Sequence, residues 1–185
     1  AQFETVHPFI DGNGRTGRTL LHKMLRRSGV LSCVTLPVSA GLLHNIDSYM
    51  DSLAAYQQGD PVAVVEQLVD ALELALVVGR LVAMRIDAVM EEWTQRFTER
   101  KGSSIYRLPP LLAVQPVVST AYVAERLDIT PRASQNLVNR ACEYGVLRPI
   151  GNRRRGTYYQ ADGLIDVLEE ASSLPSIRHM VSTGW

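Results

Sequence analysis

His7-Pro8-Phe9-Ile10-Asp11-Gly12-Asn13-Gly14-Arg15-Thr16-Gly17-Arg18 decides the reading of this chain. The stretch gathers a histidine, a carboxylate, an amide, three glycines and two arginines. That inventory suits chemistry on a phosphate ester. Glycine lets the backbone approach an anion closely and accepts positive φ, so Gly12, Gly14 and Gly17 can shape a loop whose N–H groups point inward. Residues 19–27 read as a helix, with Leu20 or Leu21, Met24 and Leu25 as the apolar stripe and Ser28-Gly29 as its end. A loop feeding a helix N-terminus is an anion site, because free N–H groups and the helix dipole act together. Arg15 and Arg18 fall on one face of the first turn, three residues apart. Cations oppose the dipole at that end, which makes sense of both as ligands of an anion.

Two other readings fit less well. Gly12-Asn13-Gly14-Arg15-Thr16-Gly17 satisfies G-x-G-x-x-G, the dinucleotide pattern. That pattern needs a preceding buried strand and an acid about 20 residues on. Here Pro8 precedes it, and Cys33-Val34-Thr35-Leu36 supplies no acid. A Gly-rich surface turn with two solvated arginines would not explain His7, Asp11 and Asn13 beside it.

The stretch resembles the signature of the Fic family, H-P-F-x-[DE]-G-N-G-R-x-x-R, at every fixed position. Looser similarity continues through Leu36-Pro37-Val38-Ser39 to about residue 100. The resemblance implies transfer of AMP from ATP to a hydroxyl of a target protein, with Mg²⁺. Under it His7 is the catalytic base that takes the proton from a Ser, Thr or Tyr hydroxyl, work that typically contributes ~10²–10⁴ in rate. Asp11 holds Mg²⁺, a hard cation suited to one or two carboxylates and phosphate oxygens. Gly12, Asn13 and Gly14 cradle the phosphates, and Arg15 and Arg18 contact phosphate oxygens, Arg18 at the γ-phosphate. Pro8 fixes φ, and Phe9 is expected to anchor the loop in the core. The motif reads phosphates and not the base, so UMP or phosphocholine transfer stays open.

Composition sets the bounds. With 185 residues, one or two domains fit, and 46% hydrophobic residues suffice for a core. Basic and acidic residues balance at 19 each, which excludes a bulk polybasic protein but not a local basic patch. Cys33 and Cys142 are far apart with no metal-ligand spacing, which fits a reducing cytoplasm. The most apolar region, residues 68–90, contains Asp70, Glu73, Arg80, Arg85 and Asp87, so no membrane span is expected.

The expected fold is mainly α: the C-terminal portion of an all-α Fic helical core over residues 1–101, a small α+β winged-helix domain over residues 102–171, and a tail over residues 172–185. Fic-like folds place helices and a β-hairpin flap before the motif. Their absence here leads to the expectation of a fragment that is weak or inactive alone, because substrate positioning is a large part of catalysis.

After the motif helix, Ser39 is expected to cap a helix running to about Tyr56. His44 falls between apolar positions there and reads as a surface histidine. Asp60-Pro61 starts the next helix, with Asp as cap and Pro at the first helical position. This helix runs to Phe97 or breaks once near Gly79. One apolar stripe includes Leu68, Leu72, Ala75, Gly79, Val82, Ile86, Val89 and Trp93; a second includes Leu74, Val77, Val78, Leu81 and Met84. Two stripes predict a helix buried on most of its surface; a homodimer seam between helices is the alternative.

Glu99-Arg100-Lys101-Gly102-Ser103-Ser104 marks the boundary. Residues 106–114 read as a short helix. Ser119-Thr120 caps a second over 121–127, and Thr130-Pro131 caps a third over 131–144, in the helix-turn-helix pattern. Residues 146–150 and 157–160 read as paired strands around the basic turn Gly151-Asn152-Arg153-Arg154-Arg155-Gly156. The pattern resembles a winged helix. Arg132, Gln135, Asn136, Asn139 and Arg140 form the polar face of the candidate recognition helix. Amides and arginines there can read DNA base edges, and Arg153, Arg154 and Arg155 can grip phosphate. Residues 164–171 read as a closing helix.

Fic enzymes are often blocked by a glutamate in [ST]-x-x-x-E-[GN] that pairs the second motif arginine. No Glu in this chain is followed by Gly or Asn. Autoinhibition through Arg18 is therefore expected from elsewhere in the protein or from another chain. The alternative to an enzyme is a winged-helix DNA-binding regulator whose Fic part is vestigial or senses nucleotide.

Overall fold

A short helix, α1 (Gln2–Val6), opens the chain and stops at His7, whose backbone turns left-handed at φ 48°, ψ 58°. The computed structural model describes residues 1–32, 35–151, 157–173, 175 and 179, leaving aside the side chain of Leu43. Cys33, the arginines Arg153, Arg154 and Arg155, and the tail residues Ile177, Met180 and Trp185 lie outside the described residues. Helix α2 (Asn13–Arg27) begins at Gly12 with φ 84° and is closed by Ser28, with Gly29 at φ 77° beyond it. It starts six residues earlier than the apolar stripe indicates, because Asn13-Gly14-Arg15-Thr16-Gly17-Arg18 carries no apolar residue that could reveal a periodicity.

Two helices stand where one was expected from Ser39. They are α3 (Val38–His44) and α4 (Ile46–Gln57), separated at Asn45, whose Oδ1 accepts the Ser48 N–H at 3.2 Å. A side-chain cap at that position competes with helix continuation, the usual role of asparagine. His44 is exposed. Asp60 Oδ1 accepts the Val62 N–H at 2.9 Å and starts α5 (Val62–Arg96), which runs 35 residues without a break at Gly79.

The chain forms two compact units, Ala1–Leu81 and Val82–Glu170, with the division inside α5. In the first, Leu36, Val38 and Ala75 are buried, with Leu21, Leu31, Leu42 and Leu72 packed around them. Gly41 lies directly against α5: a Cβ there would stand 2.0 Å from the Ala71 carbonyl oxygen. The contact admits no side chain. Only part of the second apolar stripe of α5 is buried. Val78 is, but Val77 and Met84 are exposed, together with Val62, Val65, Val69 and Leu76. The expectation of a helix buried on most of its surface is corrected accordingly.

The second unit has a larger core, including Trp93, Ile105, Leu108, Leu112, Val123, Val138, Val146 and Leu164. Each such large aliphatic side chain contributes about 1.5–3 kcal/mol by leaving water. Its elements are a turn of 3-10 helix (Ser104–Arg107), α6 (Leu108–Val114), β1 (Val117–Ser119), α7 (Thr120–Leu127), α8 (Pro131–Glu143), β2 (Arg148–Ile150), β3 (Tyr158–Gln160) and α9 (Asp162–Glu170). The strands pair antiparallel in the order β1-β3-β2, with Val118 opposite Tyr159 and Pro149 opposite Tyr159. The caps follow the sequence. Ser119 Oγ accepts the Tyr122 N–H and Thr130 Oγ1 the Ala133 N–H, each at 3.2 Å. Ser134, fully buried on α8, donates its hydroxyl to the Thr120 carbonyl at 2.6 Å and ties α8 to α7.

Candidate functional site

The loop between α1 and α2 is held by Asn13. Its Oδ1 accepts the Phe9 N–H at 2.9 Å, and its Nδ2 donates to the Phe9 carbonyl at 2.6 Å. Asn13 is 4% exposed. Its amide is thus engaged in fixing the loop, while its backbone N–H belongs to the first turn of α2, where such groups are free for an anion. Phe9 does not enter the core. It is half exposed and packs against Phe3, with ring centroids 6.1 Å apart.

His7 points its Nδ1 at the Glu4 carbonyl oxygen, 2.5 Å away. A carbonyl only accepts, so Nδ1 carries the proton of the neutral ring and Nε2 keeps the lone pair. In that tautomer Nε2 is the ring nitrogen able to accept a proton. Asp11 Oδ1 accepts the Gly12 N–H at 2.6 Å, and Oδ2 accepts from Arg15 Nη2 at 3.2 Å. The Asp11 and Arg15 side chains are 90% and 74% exposed, so this ion pair adds little stability and leaves both groups accessible.

His7, Asp11, Gly12, Asn13, Gly14, Arg15 and Arg18 line one open cleft of about 330 Å³, with Ile10. Arg18 is half buried, and its guanidinium lies over Gly14, where a Cβ would stand 3.2 Å from Nη1. Gly12 and Gly14 therefore serve the loop as expected of small residues. Gly17 does something else. It lies inside α2, and a Cβ there would fall 2.0 Å from Glu4 Oε1 and 3.5 Å from Phe3 Cδ1. It lets α1 pack on α2 and thereby positions His7.

Two further residues belong to this neighbourhood. Glu4 acts through its backbone carbonyl, which no side-chain pattern reveals. Tyr49 on α4 shares a second, apolar cleft of about 270 Å³ with Glu4, Gly14 and Arg18. Burial raises the pKa of its hydroxyl, the Glu4 carboxylate raises it further, and Arg18 opposes them. No sequence motif marks Tyr49 for this cleft.

In the second unit, Arg132, Gln135, Asn136, Asn139 and Arg140 are exposed on α8. Three of these are partnered. Gln135 Nε2 donates to Asn139 Oδ1 at 2.9 Å. Arg140 donates to Glu99 Oε1 at 2.7 Å and to Glu143 Oε2 at 3.1 Å, and lies 5.6 Å from the Tyr144 ring centroid. Tyr144 in turn donates to Glu99 Oε2 at 2.9 Å and accepts the Thr98 N–H at 3.1 Å. Arg140 and Tyr144 together hold the Glu99 carboxyl below its usual range, the Arg140 hydrogen bond being the larger cause. Burial pushes the Cys142 thiol up, with Glu143 adding to it.

Residues 1–25 match the Fic/DOC family. A probable protein adenylyltransferase of Aquifex aeolicus (strain VF5) is 38% identical over 66 residues, which are 36% of this chain and 18% of that protein. The chain thus spans less than a fifth of the curated relative it matches. The family match covers the loop that carries His7 and most of α2, and over this segment the chain is similar to the Fic/DOC family.

Proposed function

We propose that residues 7–18 are the nucleotide-phosphate loop of a protein adenylyltransferase, which moves AMP from ATP to a Ser, Thr or Tyr hydroxyl of a target protein. The observation that carries this reading is the pairing of His7 Nδ1 with the Glu4 carbonyl, inside the cleft that also holds Asp11, Arg15 and Arg18. The target hydroxyl oxygen forms a bond to the α-phosphorus, the bond to the β-phosphate oxygen breaks, and pyrophosphate leaves. The hydroxyl proton passes to His7 Nε2. Backbone N–H groups at the start of α2 and the two arginines hold the phosphate oxygens; one such donor aimed at developing charge is worth ~3–4 kcal/mol.

The residues present fit Mg²⁺ brought in with the nucleotide. Asp11 is an exposed single carboxylate, and no group of three or more metal-ligating side chains occurs among the described residues. Mg²⁺ commonly uses one or two carboxylates together with substrate phosphates. Asp11 would hold it, and the bound ion would offset charge on the leaving pyrophosphate. Arg18, with no ion-pair partner among the described residues, is the natural point of control by a glutamate from elsewhere. Removing that glutamate from the intact protein should tighten ATP binding; unchanged affinity would exclude this form of regulation. Transfer of α-phosphate label to protein, abolished by His7→Ala, tests the main reading.

A second reading concerns residues 102–171 as a winged-helix module that binds DNA. The helix, strand, helix, helix, strand, strand order and the exposed polar face of α8 support it. Because Arg140 is held by Glu99, Arg132 and Asn136 are the freer donors for base edges or phosphate. Duplex binding in a gel shift should survive His7→Ala and weaken several-fold in Arg132→Ala. No binding even at low salt would remove this reading. No helix among the described residues is long and apolar enough to cross a membrane.

A further inference from the structure

We infer that the exposed face of α5 is a self-association surface, on which two copies of this chain pair antiparallel about a twofold axis near Leu76 and Val77. The face is apolar where a monomer's helix would be polar. Val62, Val65, Val69, Leu76 and Val77 are 57%, 56%, 49%, 56% and 49% exposed. Val62, Val69 and Leu76 recur every seven residues, with Val65 and half-buried Leu72 between them, which is the spacing of a helix-pairing seam. Scattered single apolar residues on a surface need no explanation; a heptad row of them along one helix does.

Charge selects the occupant and its orientation. Glu73 and Arg80 lie on this same face, seven residues apart, on either side of Leu76 and Val77. At 1.5 Å rise per residue they are roughly 10 Å apart, too far to pair within the helix. Neither has an ion-pair partner among the described residues. A parallel pair of copies would set Glu73 against Glu73 and Arg80 against Arg80. An antiparallel pair centred at Leu76–Val77 sets Glu73 of each copy against Arg80 of the other, twice. Flanking charges of this kind set partner choice and orientation more than raw affinity. The face is therefore complementary to itself in one orientation only. Five half-exposed aliphatic side chains per copy make a small interface, so the pair is weak and reversible.

The test is sedimentation velocity on the 185-residue chain over a concentration series, for wild type, Glu73→Arg, Arg80→Glu, the double variant, and an equimolar mixture of the two single variants. Wild type should shift with concentration from 20.5 kDa towards twice that mass. Each single variant places like charges opposite one another and should raise the dimer Kd by on the order of tenfold. The double variant and the mixture restore opposite charges and should restore association. Both substituted residues are exposed, and circular dichroism checks that the helix content is kept. A wild type that stays monomeric at several hundred micromolar would overturn the inference. So would association unchanged in both single variants, or a double variant and mixture that stay monomeric.

Discussion

The side chain of Asn13 bonds both backbone groups of Phe9, accepting from its N–H at 2.9 Å and donating to its carbonyl at 2.6 Å. One buried amide therefore sets the path of the loop between His7 and Gly12. Asn13→Ala removes both bonds at once and should lower stability by about 1–2 kcal/mol. Asn13→Asp keeps the acceptor for the Phe9 N–H but turns a carboxylate towards the Phe9 carbonyl, so it should not rescue. Urea unfolding measures this, and an unchanged midpoint for Asn13→Ala would show that the clamp is not needed to hold the loop.

The tautomer of His7 is open to direct observation. Its Nδ1 hydrogen bond to the Glu4 carbonyl predicts the Nδ1–H tautomer for the neutral ring. Nitrogen-15 shifts of the neutral imidazole should show a protonated Nδ1 and an unprotonated Nε2. The reverse assignment would leave no lone pair facing a substrate hydroxyl from that nitrogen.

Gly41 and Gly79 make opposite predictions although both lie in helices. A Cβ at Gly41 would stand 2.0 Å from the Ala71 carbonyl oxygen, so Gly41→Ala must push α3 from α5 and should cost about 3 kcal/mol or more. A Cβ at Gly79 would make ordinary contact with Pro37 Cδ at 3.5 Å. Gly79→Ala should be neutral or stabilising by up to ~1 kcal/mol, from helix propensity. Thermal melts of the two variants should move in opposite directions or differ by several degrees; equal shifts would contradict the packing described for α3.

The Glu99 network predicts a pH dependence. Its carboxyl is held below the usual range, first by the hydrogen bond from Arg140. A carboxylate with a lowered folded pKa contributes stability that is fully present above its unfolded value, near 4.3, and is lost as pH falls through the lowered folded value. Asp162, bonded by Arg148 at 2.6 and 3.0 Å, is shifted the same way, with the Arg148 hydrogen bond as the larger cause. Unfolding of wild type and Glu99→Gln should therefore differ at neutral pH and converge as the solution is acidified. A constant gap down to pH 2 would show that the charge of Glu99 is not what joins it to α8.

The sequence was most legible where side chains act alone on the backbone beside them. Ser119 and Thr130 announced α7 and α8 because a hydroxyl cap is a local event, and both caps are made. The gathering of His7, Asp11 and the two arginines in one cleft was legible from their spacing. Other features depend on groups without a sequence signature. The early start of α2 is hidden because its first turns carry glycine and arginine instead of a stripe. Gly17 looked like a loop residue, yet it is the contact of α2 with Glu4. Strand β1 is three residues long beside Pro116, too short for alternation to show, and it is defined by its pairing with β3. The engagement of Arg140 by Glu99 spans 41 residues of chain and required the fold.

Under the proposed function His7 serves nucleotidyl transfer. This role is tested most directly by incubating the intact protein with α-phosphate-labelled ATP, Mg²⁺ and cell lysate, beside His7→Ala and Arg18→Ala. Wild type should label protein, His7→Ala should lose the label, and Arg18→Ala should show a strong reduction. Label that persists undiminished in His7→Ala, or none at all from a wild type that binds ATP, would contradict it.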